Sequence, residues 1–288
     1  MRSPRLAVAA LAALTLPLTA CGGGDELPTV SQTPGIDASD LPSTSTRPGS
    51  GASGSAGAAD SEGRVPGARV SRQQVVGLYT DALMDATTVR IALDTTSTSL
   101  GVRGSGTADI GPDGPLLQFR VSLPQLGDQQ VELRVLRDRV YLRAAALGPQ
   151  WFSAPLTSLV GPQGEQVTSL LRQFDPRQLI QAVDDGFVSA TFRDREKVDG
   201  RTADRYRLTL DTDAVLRQVQ GLRGSALRKA EAGLPKRSTQ DVWFAVDGGD
   251  LLRVRTAGGQ GSTDVRYTRW GDPVSITAPP ASQVKRLK

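Results

Sequence analysis

The chain has 288 residues, with 34 lysines and arginines against 30 aspartates and glutamates, a single cysteine and no histidine. The lack of histidine removes the commonest metal ligand and the usual general base, and one cysteine forms neither an internal disulfide nor a thiolate cluster. Because the basic residues form no run and do not alternate with stacking aromatics, we also exclude nucleic-acid binding. We expect no metal, no cofactor and no catalytic residue, although composition leaves carboxylate-based hydrolysis open.

A short basic start and an apolar run form a predicted secretory signal at the N-terminus. Arg2 and Arg5 precede the uncharged segment from Leu6 to Ala20. As a helix at ~1.5 Å per residue, this segment would be about 22 Å long, shorter than the roughly 30 Å hydrocarbon core of a bilayer. We therefore predict that residues 1–20 are a cleaved signal peptide rather than a membrane span.

The single cysteine directly follows this segment. Leu18, Thr19, Ala20 and Cys21 resemble the lipobox of bacterial lipoproteins, in which the signal is cut before the cysteine and diacylglycerol is attached to its sulfur. The resemblance implies that Cys21 becomes an acylated N-terminus, with palmitate among its acyl chains, held in the cell membrane on the extracytoplasmic side. The alternative is an incidental cysteine in an ordinary cleaved signal.

Residues 21–70 form a predicted tether. They are rich in Gly, Ser, Thr, Pro and Ala, as in "PSTSTRPGSGASGSAGAAD", and contain almost no large apolar side chain. Such a segment cannot bury enough apolar surface to offset the entropy lost on ordering, so we expect it to be disordered. A flexible chain of ~50 residues spans roughly 40 Å on average, which would hold the following domain clear of the membrane surface.

Order is predicted to begin with a helix at Ser71. Ser71 and Gln74 form a capping box at its start. An apolar stripe follows at helical spacing and comprises Val75, Val76, Tyr79, Leu83 and Ala86. Two further helical segments are predicted, one from Pro162 to Asp184, with Pro176 suited to a first helical position, and one from Thr212 to Ala232.

Between the helices the apolar period is two, which is typical of half-buried antiparallel strands. Glycine-containing turns at residues 111–114, 198–201 and 247–250 predict hairpins that join successive strands. The predicted strands lie near residues 89–94, 117–123, 131–135, 187–196, 203–210, 239–246, 251–256 and 263–270. We therefore predict a single α+β domain over residues 71–288, built as a curved antiparallel sheet, or half-barrel, with helices on its concave face.

Four phrases of the sequence are distinctive, namely "RVYLRAAALGPQWFSAPL", "DREKVDGRTADRYRLTLDTDAV", "DVWFAVDGGDLLRVR" and, most specifically, "VRYTRWGDPVSITAPPASQV". They resemble the LppX/LprG-type lipoproteins of mycobacteria and other actinobacteria, relatives of the LolA/LolB lipid carriers. The resemblance implies a half-barrel of about eleven strands closed by helices, with an apolar cavity for acylated lipids or glycolipids. The family has no catalytic motif, so only the anchor cysteine carries over as a functional residue.

Twelve apolar side chains lie on the predicted inward faces of the strands, and the resemblance assigns them to the lining of that cavity. The pattern also fits a filled core, because a cavity and a core show the same alternation of apolar and polar residues. The predicted ligand-binding residues are Val89, Ile91, Leu93, Phe119, Val121, Leu133, Val135, Leu142, Phe152, Leu208, Phe244 and Val254.

Together these features predict a monomeric, membrane-anchored lipoprotein that binds acylated lipid or glycolipid and carries it in the cell envelope. Its expected partners are the membrane, through the acyl anchor, the lipid ligand, and a membrane transporter that hands the lipid over. The alternative is an envelope interaction or sensor lipoprotein that uses the same half-barrel without moving lipid.

Replacement of the anchor cysteine tests the lipoprotein prediction. Cys21→Ser removes the thiol that would carry the lipid, while the tether separates this position from the fold. We expect the variant to leave the membrane fraction with unchanged thermal unfolding, measured by detergent phase partitioning and circular dichroism of parent and variant. Partitioning of the variant into the detergent phase to the same extent as the parent would contradict lipid attachment.

Overall fold

The computed structural model describes eight segments of the chain. They comprise residues 65–84, 87–97, 101–111, 116–123, 129–156, 176–219, 234–258 and 261–286. The predicted signal peptide, Cys21 and the predicted tether up to residue 64 lie outside these segments. So do Ala86 and the predicted helical regions 162–175 and 220–232.

Thirteen strands form one sheet, two more than the eleven or so that we expected, because a short strand lies at each edge. The strands are β1 Arg69–Val70, β2 Thr88–Ser97, β3 Val102–Asp109, β4 Leu116–Leu123, β5 Gln129–Leu136, β6 Arg139–Ala144, β7 Trp151–Pro155, β8 Phe187–Val198, β9 Arg201–Asp211, β10 Arg237–Ala245, β11 Leu251–Gly258, β12 Gly261–Thr268 and β13 Val284–Arg286. Their order across the sheet is β1-β8-β9-β10-β11-β12-β2-β3-β4-β5-β6-β7-β13. Neighbours are antiparallel except β7 and β13, which are parallel. The last two residues of the predicted tether form β1.

Three α-helices occur in the described segments: α1 Arg72–Met84, α2 Pro176–Gly186 and α3 Thr212–Val219. The predicted capping box of α1 is confirmed. The backbone N–H of Gln74 donates to Ser71 Oγ at 3.2 Å, and the backbone N–H of Ser71 donates to Gln74 Oε1 at 3.0 Å. Pro176 is the first residue of α2, as expected. None of the helices in the described part of the chain is long and apolar enough to cross a membrane.

The helices cover one half of the concave face. Residues of α1 and α2 form a core cluster with β8, β9, β10 and β11, in which Tyr79 of α1 meets Phe244 edge to face at a centroid distance of 5.2 Å. A smaller cluster joins α2, β9 and α3. A second large cluster packs on the concave side of β2 to β6. The predicted arrangement, a curved sheet with helices on its concave face, is confirmed for the described helices.

Acidic side chains on the convex face are paired with arginines. Glu132 Oε1 lies 2.8 Å from both Arg120 Nη2 and Arg143 Nη2. Burial opposes ionisation of Glu132, but hydrogen bonds from Arg143 and Arg120 outweigh it, so the pKa of this carboxyl lies below its ordinary value. Asp241 is bound in the same way by Arg205 and Arg207, and its pKa is also lowered.

The chain crosses the convex face after β12 in a segment that we call the C-terminal strap, residues 271–283. Arg134 of β5 donates to the carbonyl oxygen of Thr277 at 2.8 Å, and the strap leads to β13 beside β7. Trp151 is 2% exposed here, with the guanidinium carbons of Arg134 and Arg143 each 4.8 Å from its ring centroid. Trp151 therefore packs on the convex face, away from the concave interior.

Hairpin turns join the strands where the sequence places glycine. The turn at 198–201 is confirmed, with Asp199 and Gly200 at φ values of 50° and 86°, the positive values that a tight two-residue hairpin requires. The turn at 247–250 is confirmed as well. The predicted turn at 111–114 lies, apart from its first residue, outside the described residues.

Two glycines of β3 accommodate the ring of Phe119. A Cβ atom at Gly104 would lie 2.6 Å from Phe119 Cε1, and one at Gly106 would collide with the Phe119 ring and the Gln118 carbonyl oxygen. Glycine inside a strand often marks such a close approach. The ring therefore packs down onto the sheet, where it fills the space that side chains on β3 would otherwise occupy.

A pair of alanine substitutions tests this packing. Gly106→Ala should lower the free energy of unfolding by about 1 to 3 kcal/mol, because the added methyl group overpacks the contact with Phe119. Gly77→Ala is the matched control, since its Cβ would meet nothing within 4 Å in α1, and it should raise stability by about 0.5 to 1 kcal/mol. Both are measured by urea denaturation; equal effects of the two substitutions would contradict the close approach.

Candidate functional site

The register of the sheet places all twelve predicted ligand-binding side chains on the concave face. Residues that stand opposite each other in adjacent strands share a face. Leu133 of β5, for example, stands opposite Phe119 of β4 and Leu142 of β6. In the other half of the sheet, Val254 of β11 stands opposite the core residue Val242. Their inward orientation thus follows the prediction, while ligand binding by these residues stays a prediction.

Solvent exposure divides the twelve into two groups. Eight are buried, namely Val89, Ile91, Phe119, Val121, Leu133, Val135, Leu208 and Phe244. Four are half-buried, namely Leu93, Leu142, Phe152 and Val254. Other atoms of the chain cover the buried eight, whereas the half-buried four keep part of their apolar surface exposed.

Half-buried apolar residues form a row where the two large core clusters meet. Leu93 of β2, Val265 of β12 and Val254 of β11 stand opposite one another across this junction. Tyr267, two residues after Val265, lies on the same face and packs against both clusters. We call Leu93, Val254, Val265 and Tyr267 the seam. It offers an apolar strip across three adjacent strands.

The aromatic end of the seam is neutral. Tyr267 stacks on Trp270 at a centroid distance of 5.9 Å, and the indole N–H of Trp270 donates to the Leu251 carbonyl oxygen at 2.9 Å. Burial raises the pKa of Tyr267 to about 12. Burial, assisted by the nearby Tyr267, also raises the pKa of Tyr79. Both phenols therefore stay uncharged near neutral pH, and this part of the face presents no negative charge.

A row of polar side chains borders the seam on the side away from Tyr267. In register, Gln240 of β10 stands opposite Thr256 of β11, Thr256 opposite Thr263 of β12, and Thr263 opposite Thr95 of β2. Each threonine is two positions from a seam residue and so shares its face. Thr95 and Thr263 are 5% and 2% exposed, with their hydroxyl oxygens 3.3 Å apart. We call Thr95, Thr256, Thr263 and Gln240 the polar row.

A groove of about 600 Å³ lies on the opposite, convex face, between the C-terminal strap and strands β2 to β5. Arg90, Arg120 and Glu132 are among its lining residues, together with Val274 and Ile276 of the strap. The carboxylate of Glu132 in this groove is already paired with Arg120. The mixed, largely polar lining suits a hydrated partner better than an acyl chain.

Sequence reasoning missed part of the seam and the whole polar row. Thr263, Val265 and Tyr267 of β12 alternate with Asp264 and Arg266, so the period of two could have assigned the first three to the inward face. The predicted list included no residue of this strand. The partners that complete each row come from strands distant in sequence, and no local pattern identifies them.

Comparison with known proteins identifies the fold. LprF from Mycobacterium bovis has a similar crystal structure, with a TM-score of 0.53 and 18% sequence identity over 72% of this chain and 96% of LprF. The lipoprotein LppX from Mycobacterium tuberculosis gives a TM-score of 0.47 and 20% identity over 72% of this chain and all of LppX, a coverage of 100%. No protein-family model and no curated protein matches the chain. This chain therefore has the fold of LprF, as the resemblance of its sequence to the LppX/LprG-type lipoproteins led us to expect.

Proposed function

We propose that the chain binds an acylated lipid or glycolipid on the concave face of its sheet and carries it in the cell envelope. The observation that carries this proposal is the seam, a continuous strip of half-buried apolar residues where the two large core clusters meet. Each methylene group transferred from water to such a strip contributes about 0.8 kcal/mol. Apolar contact alone can therefore hold an acyl chain, without a covalent reaction of the lipid.

The proposed carrier is a monomer tethered through Cys21 to the extracytoplasmic side of the cell membrane. The lipobox and the apolar run before it support the anchor, and the Gly/Ser/Pro-rich segment supports the tether. In this arrangement the folded part lies roughly 40 Å from the bilayer on average, where it can take lipid from, or deliver it to, a membrane transporter.

Lipid bound during expression tests the proposal directly. We expect Cys21→Ser protein, purified without detergent, to retain acylated lipid in a near-stoichiometric amount, measured by mass spectrometry of an organic extract. The same extraction from a variant blocked at the seam is the control. Protein that contains no lipid and takes up none would instead support the alternative, an interaction or sensor lipoprotein, for which the convex groove offers a surface.

Two tryptophan substitutions separate open space from packed core. Val265→Trp enlarges a half-buried seam residue, so it should reduce uptake of a fluorescent acylated probe severalfold with little change in melting temperature. Val121→Trp is the control, because Val121 is 1% exposed and insertion there should cost about 1 to 3 kcal/mol of stability. A large fall in the melting temperature of Val265→Trp with unchanged uptake would show that the seam is part of the packed core and does not bind the acyl chain.

A further inference from the structure

We propose that the polar row binds the ester carbonyl oxygens of an uncharged acylated lipid whose acyl chain lies along the seam. This inference rests on the proposed function and specifies the part of the ligand that the protein recognises. It is carried by the alignment of Thr95, Thr263, Thr256 and Gln240 on a face whose other neighbours in register are apolar.

Apolar residues surround the polar row on three sides. Its ends are Leu208, opposite Gln240, and Val102, opposite Thr95, and both are 0% exposed. Toward the middle of the strands lies the seam, two residues away along each strand. Since a strand rises ~3.3 Å per residue, the two rows are about 7 Å apart. Hydroxyl groups at this distance would contact the polar end of an acyl chain that lies along the seam.

The polar row contains hydroxyl hydrogens that no acceptor within the row satisfies. Thr95 and Thr263 share one hydrogen bond, which uses one of their two hydroxyl hydrogens. Thr256 Oγ1 is buried, and among the described residues it has no hydrogen-bond partner. A buried hydroxyl without a partner is costly and rare. A ligand group that only accepts hydrogen bonds would therefore satisfy the row.

An ester carbonyl meets this requirement. Its oxygen accepts hydrogen bonds, and every acylated lipid carries such a carbonyl at the polar end of its acyl chain. The row contains no charged side chain, and its seam neighbours Val254, Val265 and Leu93 are apolar. A phosphate or carboxylate buried here would lose its hydration without gaining a cation from the row or the seam, so the recognised group is neutral.

Paired ester and ether lipids test the inference. We would measure displacement of a fluorescent acylated probe by dioctanoylglycerol and by its dioctyl ether counterpart, which lacks the two carbonyl oxygens. The protein is the mature chain carrying Cys21→Ser. The ester should bind about three- to tenfold more tightly than the ether, as expected for one or two neutral hydrogen bonds.

Variants of the polar row assign the preference to its hydroxyl groups. Thr256→Val keeps a β-branched side chain and removes the hydroxyl, so it should abolish the ester preference, while Thr256→Ser should retain it. Thr209→Val is the matched control, because Thr209 lies on β9 between the inward-facing Leu208 and Leu210 and so faces the convex side. Melting temperatures of all variants establish that each is folded.

The outcomes distinguish the inference from the proposed function. Displacement by both lipids with equal affinity, or an ester preference that survives Thr256→Val, would overturn recognition by the polar row and leave lipid binding intact. Displacement by neither lipid, together with no uptake of the probe by the parent protein, would overturn both. Loss of the preference in Thr209→Val as well as Thr256→Val would also refute a specific role for the row.

Discussion

The structure depends on one constraint: a wide antiparallel sheet with two chemically different faces must keep its apolar face out of water. The strands alternate except at register shifts between β8 and β9 and between β10 and β11, so most charged side chains lie on the convex side and most apolar side chains on the concave side. The described helices cover the part of the concave face formed by β8 to β11. The strands β2 to β6 form their own cluster, and the seam lies where the two clusters meet. The proposed binding strip thus lies at the boundary between two packed regions.

Charge is organised so that the seam stays neutral. On the convex side, Glu132 and Asp241 each bind two arginines, and their lowered pKa values keep them ionised and paired. On the concave side, Tyr267 stays neutral because burial raises its pKa. A neutral, apolar strip with a short row of hydroxyl groups suits a ligand that is mostly hydrocarbon with a few acceptor oxygens.

Local features of the fold were predictable because short-range physics decides them. The capping box of Ser71 and Gln74, the first position of Pro176 and the hairpin at 198–201 each involve residues a few positions apart, and each was confirmed. Strand β3 was not predicted, because Gly104 and Gly106 interrupt its apolar pattern; their role depends on Phe119 of the next strand. The parallel pairing of β13 with β7 joins segments over 120 residues apart in sequence, beyond any local signal.

The sequence by itself determined which side chains face inward, because a period of two puts alternate residues on one face whatever the partner strands are. All twelve predicted residues lie on that face. Only the tertiary structure decided which of them are buried and which stay partly exposed. Val121 and Leu93 have the same apolar character and the same strand period, yet the first is buried and the second half-buried. The difference comes from the atoms that lie opposite each side chain, and these are supplied by distant parts of the chain.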